Sequence, residues 1–439
     1  MDIIIRIIQV IFALSLLVLV HEFGHYIFAR IFKIRVEKFY LFFPPAIFKY
    51  KPKKSDTEFG IGMIPLGGFC KISGMIDESM DKDALKQPPQ PWEFRTKPAW
   101  QRLLVMAGGV LMNITLAIIL YTALLFTWGE EYIKTEDATF GIEVNDLSKE
   151  IGFRSGDKII AFDSKEVPEN FSELQVGLVR DEIQRVTVLR GNDTVEIEID
   201  QAYLPAMLNT PGMFMLRTPI AIGGYPDSSI NAASGLEIGD KILKVGQNDA
   251  MFYNELQQAL LSFADSTTLM TVSRDGDQLT FPINVNKDGR MEIFLQADLS
   301  QINITTKEYS LLSAIPAGFS KTITTLNNYI KELGLIFSPK TEAYKSVGSF
   351  IAIGSIFPQE WNWEIFWNIT ALLSVMLAVM NLLPIPALDG GHILFTLYEM
   401  ITGRKPSIKF MEIAQTIGMI FLLLLMIFAF GNDIIRLVR

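Results

Sequence analysis

The sequence predicts a polytopic α-helical membrane protein with about four transmembrane helices and a long polar insertion made of two similar α+β modules. Three observations support this prediction: long apolar stretches, a hydrophobic content of 49% in 439 residues with a positive mean hydropathy, and an internal repeat in the middle of the chain. This composition is unusually apolar for a soluble protein and too polar for a chain made only of membrane spans. A mixed architecture follows.

Four stretches are long enough to cross about 30 Å of hydrocarbon, which takes roughly 20 helical residues. They cover about residues 3–31, 101–127, 363–387 and 408–431, and prolines interrupt the third. The first could instead be the core of a signal peptide. However, it lacks a basic start and a small-residue cleavage site, and its apolar pattern continues past His25. We therefore expect a retained span.

The charge of the connecting segments predicts the orientation in the membrane. Basic residues are concentrated after the first span and between the last two, at Lys33, Arg35, Lys38, Lys49, Lys51, Lys53, Lys54, Arg404, Lys405 and Lys409. Because cytoplasmic loops carry an excess of Lys and Arg, both segments are predicted to be cytoplasmic, and both termini and the long insertion to be extracytoplasmic. The net charge of −9 and the lack of a basic stripe argue against a nucleic-acid partner. With Cys70 as its one cysteine, the chain can form no intrachain disulfide.

The polar middle of the chain contains a repeat. The stretch GFRSGDKII from Gly152 recurs as GLEIGDKIL from Gly235. Two further blocks follow in step, since FSELQ and TVLRGND in the first copy match YNELQ and TVSRDGD in the second at almost the same offset. An offset sustained through three blocks indicates two copies of one module. The order of turn, strand, short helix and hairpin, with the G-x-x-x-G-D-x-I stretch, resembles the PDZ domain, which binds an extended peptide as an added strand. Two α+β spacers without a ligand are the alternative.

The first span ends in a polar motif, VHEFGHYIFA, at residues 20–29. On a helix, His21 and His25 lie on one face and both imidazoles can reach one zinc ion. Glu22 lies beside the metal, where it can take a proton from the attacking water and pass it to the leaving amine. Ionisable residues at membrane depth cost on the order of 2.5 to 3.5 kcal/mol each and mark functional sites. This cost favours a metal site over a polar face used only for helix packing.

A second polar motif, NLLPIPALDGGHILF, occupies residues 381–395. A zinc hydrolase needs a third protein ligand and an open position for water, and this motif offers Asp389 and His392. Pro384 and Pro386 interrupt a helix within the bilayer, which is tolerated only where the freed backbone faces protein or a cavity. Position alone does not decide between Asp389 and His392.

Together, HEFGH at 21–25 and NLLPIPALDGG at 381–391, separated by PDZ-like modules, resemble the site-2 protease family of intramembrane zinc metalloproteases, and most of all its bacterial branch of regulator-of-sigma-E proteases. The resemblance implies Zn²⁺ as cofactor and Asp389 as the third ligand. His392 is then a neighbour that packs or orients the site. The resemblance extends to residues 94–113 and to IPLGGFCKISG from Ile64, which is similar to a membrane-associated β-hairpin that presents the substrate as an added strand.

Several other residues are candidates for binding substrate or shaping the site. Gly67 and Gly68, next to Phe69, would allow close approach of a substrate backbone. Asn381 can hydrogen-bond a substrate carbonyl or the interrupted helix. For Asn113, in the second span, interhelical packing and substrate contact are both open.

The resemblance implies hydrolysis of peptide bonds within the transmembrane segment of single-span substrates, which in this family are anti-sigma factors and remnant signal peptides. The reaction would take place in the bacterial inner membrane after a first protease has trimmed the substrate's outer domain. The PDZ-like pair would either exclude untrimmed substrates or bind a new C-terminus. A non-proteolytic scaffold and a zinc transporter are the alternatives from other classes. Glu22 beside the ligands argues against both, and a transporter would also need a second charged path.

The predicted organisation has five parts. These are the first two spans with the β loop at 1–127, two PDZ-like domains at 130–208 and 212–300, amphipathic linker helices at 301–360, and the last two spans at 361–439. Apolar residues at helical spacing, mixed with lysines, cover 305–358. This segment is predicted to be either a lid or strut on the membrane surface or a simple linker.

Overall fold

The computed structural model describes residues 2–75 and 88–438. The chain divides into two compact units. The membrane unit consists of Met1–Glu130 with Lys307–Arg439, and the inserted unit of Glu131–Thr306.

The first part of the membrane unit is a long helix, a β-hairpin and a second long helix. Its elements are α1 (Asp2–Ile31), β1 (Val36–Tyr50), β2 (Glu58–Ile72) and α2 (Ala99–Thr127). Strand β1 pairs on both sides with β2, because β2 bends and contacts it with residues 58–61 and again with residues 68–72. The second of these segments lies within the glycine-rich loop predicted at residues 64–74.

The distal part of this hairpin exposes apolar side chains. Ile47 is 69% exposed, Phe48 59% and Met63 62%. Exposed apolar groups in a cluster mark a contact surface rather than a solvated one. This is the pattern expected of a hairpin that enters lipid.

The inserted unit is built from short strands and short helices. In chain order they are β3 (Glu130–Ile133), β4 (Ile142–Val144), α3 (Asp146–Ile151), β5 (Lys158–Phe162), α4 (Leu174–Arg180), β6 (Arg185–Arg190), β7 (Asp193–Glu198), α5 (Leu204–Asn209), β8 (Phe214–Leu216), β9 (Ile220–Gly224), β10 (Lys241–Val245), β11 (Asn248–Asp249), α6 (Tyr253–Leu261), β12 (Ser266–Arg274), β13 (Asp277–Val285), β14 (Phe294–Ala297) and β15 (Ile304–Lys307). The first half has the sheets β5-β6-β7 and β4-β8, and the second has β13-β12-β10-β9-β14 with β11 beside β10. Because β8 pairs with β4, the first half continues to residue 216.

The sequence repeat corresponds to one ion pair formed twice. Arg190 binds both carboxylate oxygens of Asp157 at 2.8 Å, and Arg274 binds both oxygens of Asp240 at 2.7 Å. Each arginine also donates to the carbonyl of the first glycine of its motif, Gly152 in one copy and the equivalent glycine in the other, at 2.9 Å. The Gly-Asp turn is thereby held to the β-hairpin in both copies, which accounts for the recurrence of these residues.

The second part of the membrane unit is helical. Its elements are α7 (Leu311–Phe337), α8 (Phe350–Ile356), α9 (Trp363–Leu382), α10 (Asp389–Thr402) and α11 (Ile408–Val438). Helix α7 covers much of the segment predicted to be a lid or a linker. It packs along α2, where a Cβ at Gly318 would overlap the hydroxyl of Thr122, and Lys321 forms an ion pair with Glu130 at 2.7 Å. The helix is therefore docked on a span.

Within the described residues, four helices are long and apolar enough to cross a membrane: Ile3–Ile31, Ala99–Thr127, Trp363–Leu382 and Ile408–Ile435. They correspond to the four predicted spans, and the chain is a membrane protein with β-rich regions. The third helix ends before Pro384, at the interruption that the sequence indicated.

Candidate metal centre

Three of the predicted site residues converge in the membrane unit. His21 and His25 lie on one face of α1, and Asp389 is the first residue of α10. The Oδ2 atom of Asp389 lies 3.2 Å from Nε2 of His21 and 3.3 Å from Nε2 of His25. The two Nε2 atoms are 3.3 Å apart, and both histidines are buried, at 8% and 6% exposure. Residues far apart in the sequence are thus brought together in space.

The close crossing of α1 and α2 depends on glycine. A Cβ built on Gly24 would overlap the carbonyl oxygen of Gly108, and one on Gly109 would lie 2.5 Å from Cε1 of His21 and 2.7 Å from Nε2 of His25. Small residues let membrane helices approach backbone to backbone. Helix α2 therefore forms a wall directly against the two imidazoles.

This wall determines the tautomer of His25. Its Nδ1 lies 2.8 Å from the carbonyl oxygen of Val105, an atom that can only accept a hydrogen bond. Nδ1 therefore carries the proton, and Nε2 presents a lone pair toward Asp389. Metal-binding histidines commonly have this arrangement, in which an outer partner fixes the ring.

A tight reversal of the chain places Asp389. Helix α9 ends at Leu382, and Ala387 has a positive φ of 91° before α10 begins. The glycine that follows Asp389 is closely packed, because a Cβ on Gly390 would overlap the carbonyl oxygen of Leu383. The Asp-Gly-Gly sequence thus allows the turn, and a carboxylate at the first residue of a helix is stabilised by the helix dipole.

Helix α10 is itself tied to α2. Arg102 forms an ion pair with Glu399 at 2.5 Å, and the two side chains are only 11% and 12% exposed. A buried, charge-assisted pair of this kind fixes geometry more than it adds stability. The pair holds α10 against the helix that also contacts both histidines.

Glu22 lies between the histidines and the β-hairpin. The backbone amide of Cys70 hydrogen-bonds its carboxylate, and a Cβ on Gly68 would lie 3.5 Å from its Cγ. Residues 68–72 pair with β1 along one edge. Since the amide of Cys70 points to Glu22, the other edge of this segment faces the site.

Of the other predicted residues, Asn113 contacts a histidine of the centre, whereas Gly67 and Phe69 pack against residues of the β-hairpin. Asn113 is fully buried, with Nδ2 3.3 Å from Nδ1 of His21. Gly67 packs against Phe43, and Phe69 stacks on Tyr40 with ring centroids 5.2 Å apart.

The other four predicted residues lie in the turn between α9 and α10 or in the helix ends beside it. Asn381 is half-buried in the last turn of α9, Pro384 is exposed and Pro386 is half-buried. A Cβ on Gly418 of α11 would overlap the carbonyl oxygen of Pro386, so the last span touches this turn. His392 lies in the first turn of α10, and its carbonyl accepts a hydrogen bond from Thr396.

The donor set fits a zinc ion. Two imidazole nitrogens and one carboxylate oxygen lie within 4.8 Å of one another, and catalytic zinc commonly has three such protein ligands with a fourth position for water. The Oδ2 atom of Asp389 is buried and has no hydrogen-bond partner among the residues that the structure describes. A buried carboxylate oxygen without a hydrogen bond is costly, and a cation bound between it and the two imidazoles would offset that cost.

Sequence reasoning missed three parts of the centre: the Val105 carbonyl, the wall at Gly109 and the Arg102–Glu399 pair. A backbone carbonyl has no sequence signal. The regular helical spacing of Val105, Gly109 and Asn113 was a signal that they share one face of α2. The ion pair spans 297 residues and could not be predicted from either motif.

Comparison with known proteins identifies the family of the chain. The model of Peptidase family M50 matches residues 9–425. The regulator of sigma-E protease RseP of Escherichia coli strain K12 is 28% identical over 447 residues, 97% of each chain. The regulator of sigma E protease of Haemophilus influenzae is 27% identical over 456 residues, 97% of this chain and 98% of the other. A Xylella fastidiosa protein whose name includes the words zinc metalloprotease is 28% identical over 445 residues, 96% of each chain.

The fold and the site thus define a membrane-embedded metalloprotease. The chain belongs to peptidase family M50.

Proposed function

We propose that this metalloprotease binds zinc through His21, His25 and Asp389 and hydrolyses peptide bonds within the transmembrane segment of single-span membrane proteins. The observation that carries the proposal is the convergence of these donor atoms, within 4.8 Å, next to Glu22 and among helices apolar enough to lie in lipid. Ionisable groups at that depth are retained for chemistry.

Held by His21, His25 and Asp389, a zinc ion would polarise the scissile carbonyl and lower the pKa of the attacking water. Glu22 takes the proton of the attacking water and delivers it to the leaving amine. The amide of Cys70 holds the Glu22 carboxylate in place for both transfers. Val105 keeps the lone pair of His25 directed at the centre.

The substrate binds as an extended strand. A transmembrane helix protects its carbonyls within its own hydrogen bonds, so it must unwind before cleavage. Residues 68–72 offer an edge beside Glu22, and strand addition to such an edge uses backbone hydrogen bonds. Gly67 and Gly68 are proposed to allow close approach of the substrate backbone, and Asn381 and Pro386 to shape the site from the end of α9 and the turn that follows it.

The protein is proposed to lie in the inner membrane, with both termini and the inserted unit extracytoplasmic. The basic residues of the hairpin segment and of residues 404–409 support this orientation. The proposed substrates are those implied by the sequence resemblance, anti-sigma factors and remnant signal peptides, trimmed first on the outer side. Relatives named regulator of sigma-E protease support a substrate linked to sigma-E.

The inserted unit is proposed to contain two PDZ-like domains, predicted at 130–208 and 212–300, of which the first continues to residue 216 through the pairing of β8 with β4. A cavity of about 560 Å³ lies in the first half, lined by Gln175 and Val176 of α4 and by Phe214 and Leu216 of β8. A helix facing a short strand across an apolar groove is suited to an extended peptide. This supports peptide binding, and exclusion of untrimmed substrates is the alternative role.

The test is cleavage of a single-span anti-sigma-type protein, already stripped of its outer domain, by the purified protein and by Glu22→Gln. We expect cleavage by the native protein only, with an equal zinc content in both, because Gln cannot accept the proton but leaves the ligands in place. Equal cleavage by both proteins would refute the role of Glu22. Failure of the native, zinc-loaded protein to cleave would favour a scaffold.

A further inference from the structure

Asn113 is a buried side chain whose amide oxygen has no hydrogen-bond partner among the described residues. It is fully buried in the middle of α2, with Nδ2 3.3 Å from Nδ1 of His21, while its Oδ1 atom is buried without a hydrogen-bond partner among the described residues. An orphaned amide oxygen in an apolar environment is costly. The nitrogen and the oxygen of a carboxamide are distinguished by their hydrogen-bond partners. The side chain therefore has a second possible orientation, in which Nδ2 and Oδ1 exchange places.

The two orientations have opposite consequences for His21. If Nδ2 donates, Nδ1 of His21 must accept, and the ring proton then lies on Nε2, directed at Oδ2 of Asp389. If the carboxamide is flipped end for end, Oδ1 accepts the Nδ1 proton of His21. The flipped form gives the oxygen a partner and moves the unpartnered end to Nδ2, but only this form leaves a lone pair on Nε2 of His21, which a metal ligand needs.

The second histidine provides an independent comparison. Nδ1 of His25 donates to the Val105 carbonyl at 2.8 Å on the same face of α2. Val105, Gly109 and Asn113 follow one another at i, i+4 spacing, so they form one stripe. The stripe contacts one histidine at each end and leaves space for both rings at Gly109.

We infer that Asn113 presents Oδ1 to the Nδ1 proton of His21 and is the positioning residue that sets the tautomer of this ligand. Helix α2 then acts as one outer partner for both histidines, with a backbone acceptor for His25 and a side-chain acceptor for His21. This role differs from general interhelical packing and from substrate contact. It rests on the proposed function only in that zinc is the metal bound.

The experiment measures zinc affinity by chelator competition for the full-length protein in detergent. Asn113→Leu keeps the volume but removes the acceptor, and we expect a loss of about 10- to 100-fold. Asn113→Asp keeps an acceptor and removes the donor, so it should restore binding close to the native value. Ser374→Ala is the matched control, because the Ser374 hydroxyl donates to the backbone carbonyl of Asn113, at 2.8 Å, and not to its side chain. It should leave affinity unchanged.

A second readout does not depend on the affinity measurement. The chain has three histidines, so ¹⁵N-histidine labelling gives a simple spectrum of the zinc-loaded protein. We expect two slowly exchanging Nδ1 protons, from His21 and His25, and the loss of protection of the first in Asn113→Leu.

Two results would overturn the inference. If Asn113→Asp binds zinc as weakly as Asn113→Leu, the side chain acts as a donor. If Asn113→Leu retains native affinity, it only packs. Neither readout involves cleavage. A protein that fails to hydrolyse the substrate could therefore still support this inference, and a protein that hydrolyses it could still contradict the role of Asn113.

Discussion

At the scale of single residues, the predicted metal centre depends on the lack of a side chain at Gly109 as much as on His21, His25 and Asp389. Gly109 occupies the place where α2 passes over both imidazoles, and any Cβ there would overlap their rings at 2.5 to 2.7 Å. The rings cannot move away, because His25 is held by Val105 and both lie beside Asp389. A side chain at this position would therefore displace the two histidines.

We expect Gly109→Ala to abolish tight zinc binding while α1 and α2 still form, because the added methyl group either pushes the imidazoles apart or separates the helices. Overpacking of this kind costs about 1 to 3 kcal/mol. Zinc content and thermal stability of the purified variant provide the measurement.

Gly334→Ala is the matched control. It lies in α7, and a methyl group added there would meet nothing within 4 Å among the described residues. The variant should keep full zinc content and gain up to about 1 kcal/mol of stability from helix propensity. Native zinc content in Gly109→Ala would show that the crossing is looser than described.

At the scale of elements, the repeated Gly-Asp turn is a structural device and not a ligand site. The carboxylates of Asp157 and Asp240 are 1% exposed, and each is bound by an arginine from the following hairpin. Burial by itself raises the pKa of Asp240, but the hydrogen bonds from Arg274 and from the backbone amide of Glu237 outweigh it, so the pKa lies below its ordinary value of 3.8. The ion pair therefore makes the free energy of unfolding of the second half of the inserted unit depend on pH.

We expect Asp240→Asn to lower the unfolding midpoint of the inserted unit by on the order of 5 °C near neutral pH. Because the folded pKa is depressed, the stabilisation is complete above a pH of about 4 and is lost as the pH falls through the folded pKa. The difference between native and variant proteins should therefore be constant from about pH 5 to about pH 8 and shrink in stronger acid.

Proteolysis along a temperature ramp, with fragments of residues 131–306 identified by mass spectrometry, measures this difference. Asp277→Asn, an exposed carboxylate in the turn of the same hairpin, is the control and should behave like the native protein. If the unfolding midpoints of the native protein and Asp240→Asn differed more in acid than at neutral pH, the lowered pKa of Asp240 would be contradicted.

At the scale of the whole molecule, the inserted unit begins and ends at neighbouring positions. Its two ends lie side by side, because β3 and β15 form a two-stranded sheet. The donor atoms, Glu22 and the β-hairpin all belong to the membrane unit. Chemistry and the proposed selection of substrates are thus carried by different segments of one sequence.

Replacing residues 134–303 by a short flexible linker should leave zinc content and cleavage of trimmed substrates intact. If the inserted unit excludes bulky substrates, the shortened protein should also cleave the untrimmed substrate as fast as the trimmed one. Cleavage of both substrates by native and shortened proteins, reconstituted in the same lipid, measures this.

A second variant separates exclusion from peptide recruitment. Val176 is half-exposed in the wall of the groove, and Val176→Arg should slow cleavage of trimmed substrates only if the groove recruits them. Continued rejection of untrimmed substrates by the shortened protein would argue against exclusion.

Much of this organisation could be predicted from sequence because its physical signals are local. The four spans follow from apolar length, since lipid provides no partner for an exposed backbone and an apolar stretch of that length crosses it as a helix. The family follows from two polar motifs inside apolar segments, and the match to Peptidase family M50 agrees with that prediction. The repeat at 152 and 235 was visible for a similar reason, because each copy needs the same turn and the same ion pair.

The sequence by itself determined which residues could carry chemistry and which segments are apolar enough to cross the bilayer. Position along the sequence left Asp389 and His392 open, the resemblance favoured Asp389, and the tertiary structure places Asp389 beside the histidine pair. Only the tertiary structure decided that Val105 and Asn113 lie behind the two rings and that α10 is tied to α2 through Arg102. The physical reason is distance along the chain. Periodicity and motif spacing report contacts within one element, whereas a metal centre is built from helices far apart in the sequence, whose approach depends on packing at glycines such as Gly24, Gly108 and Gly109.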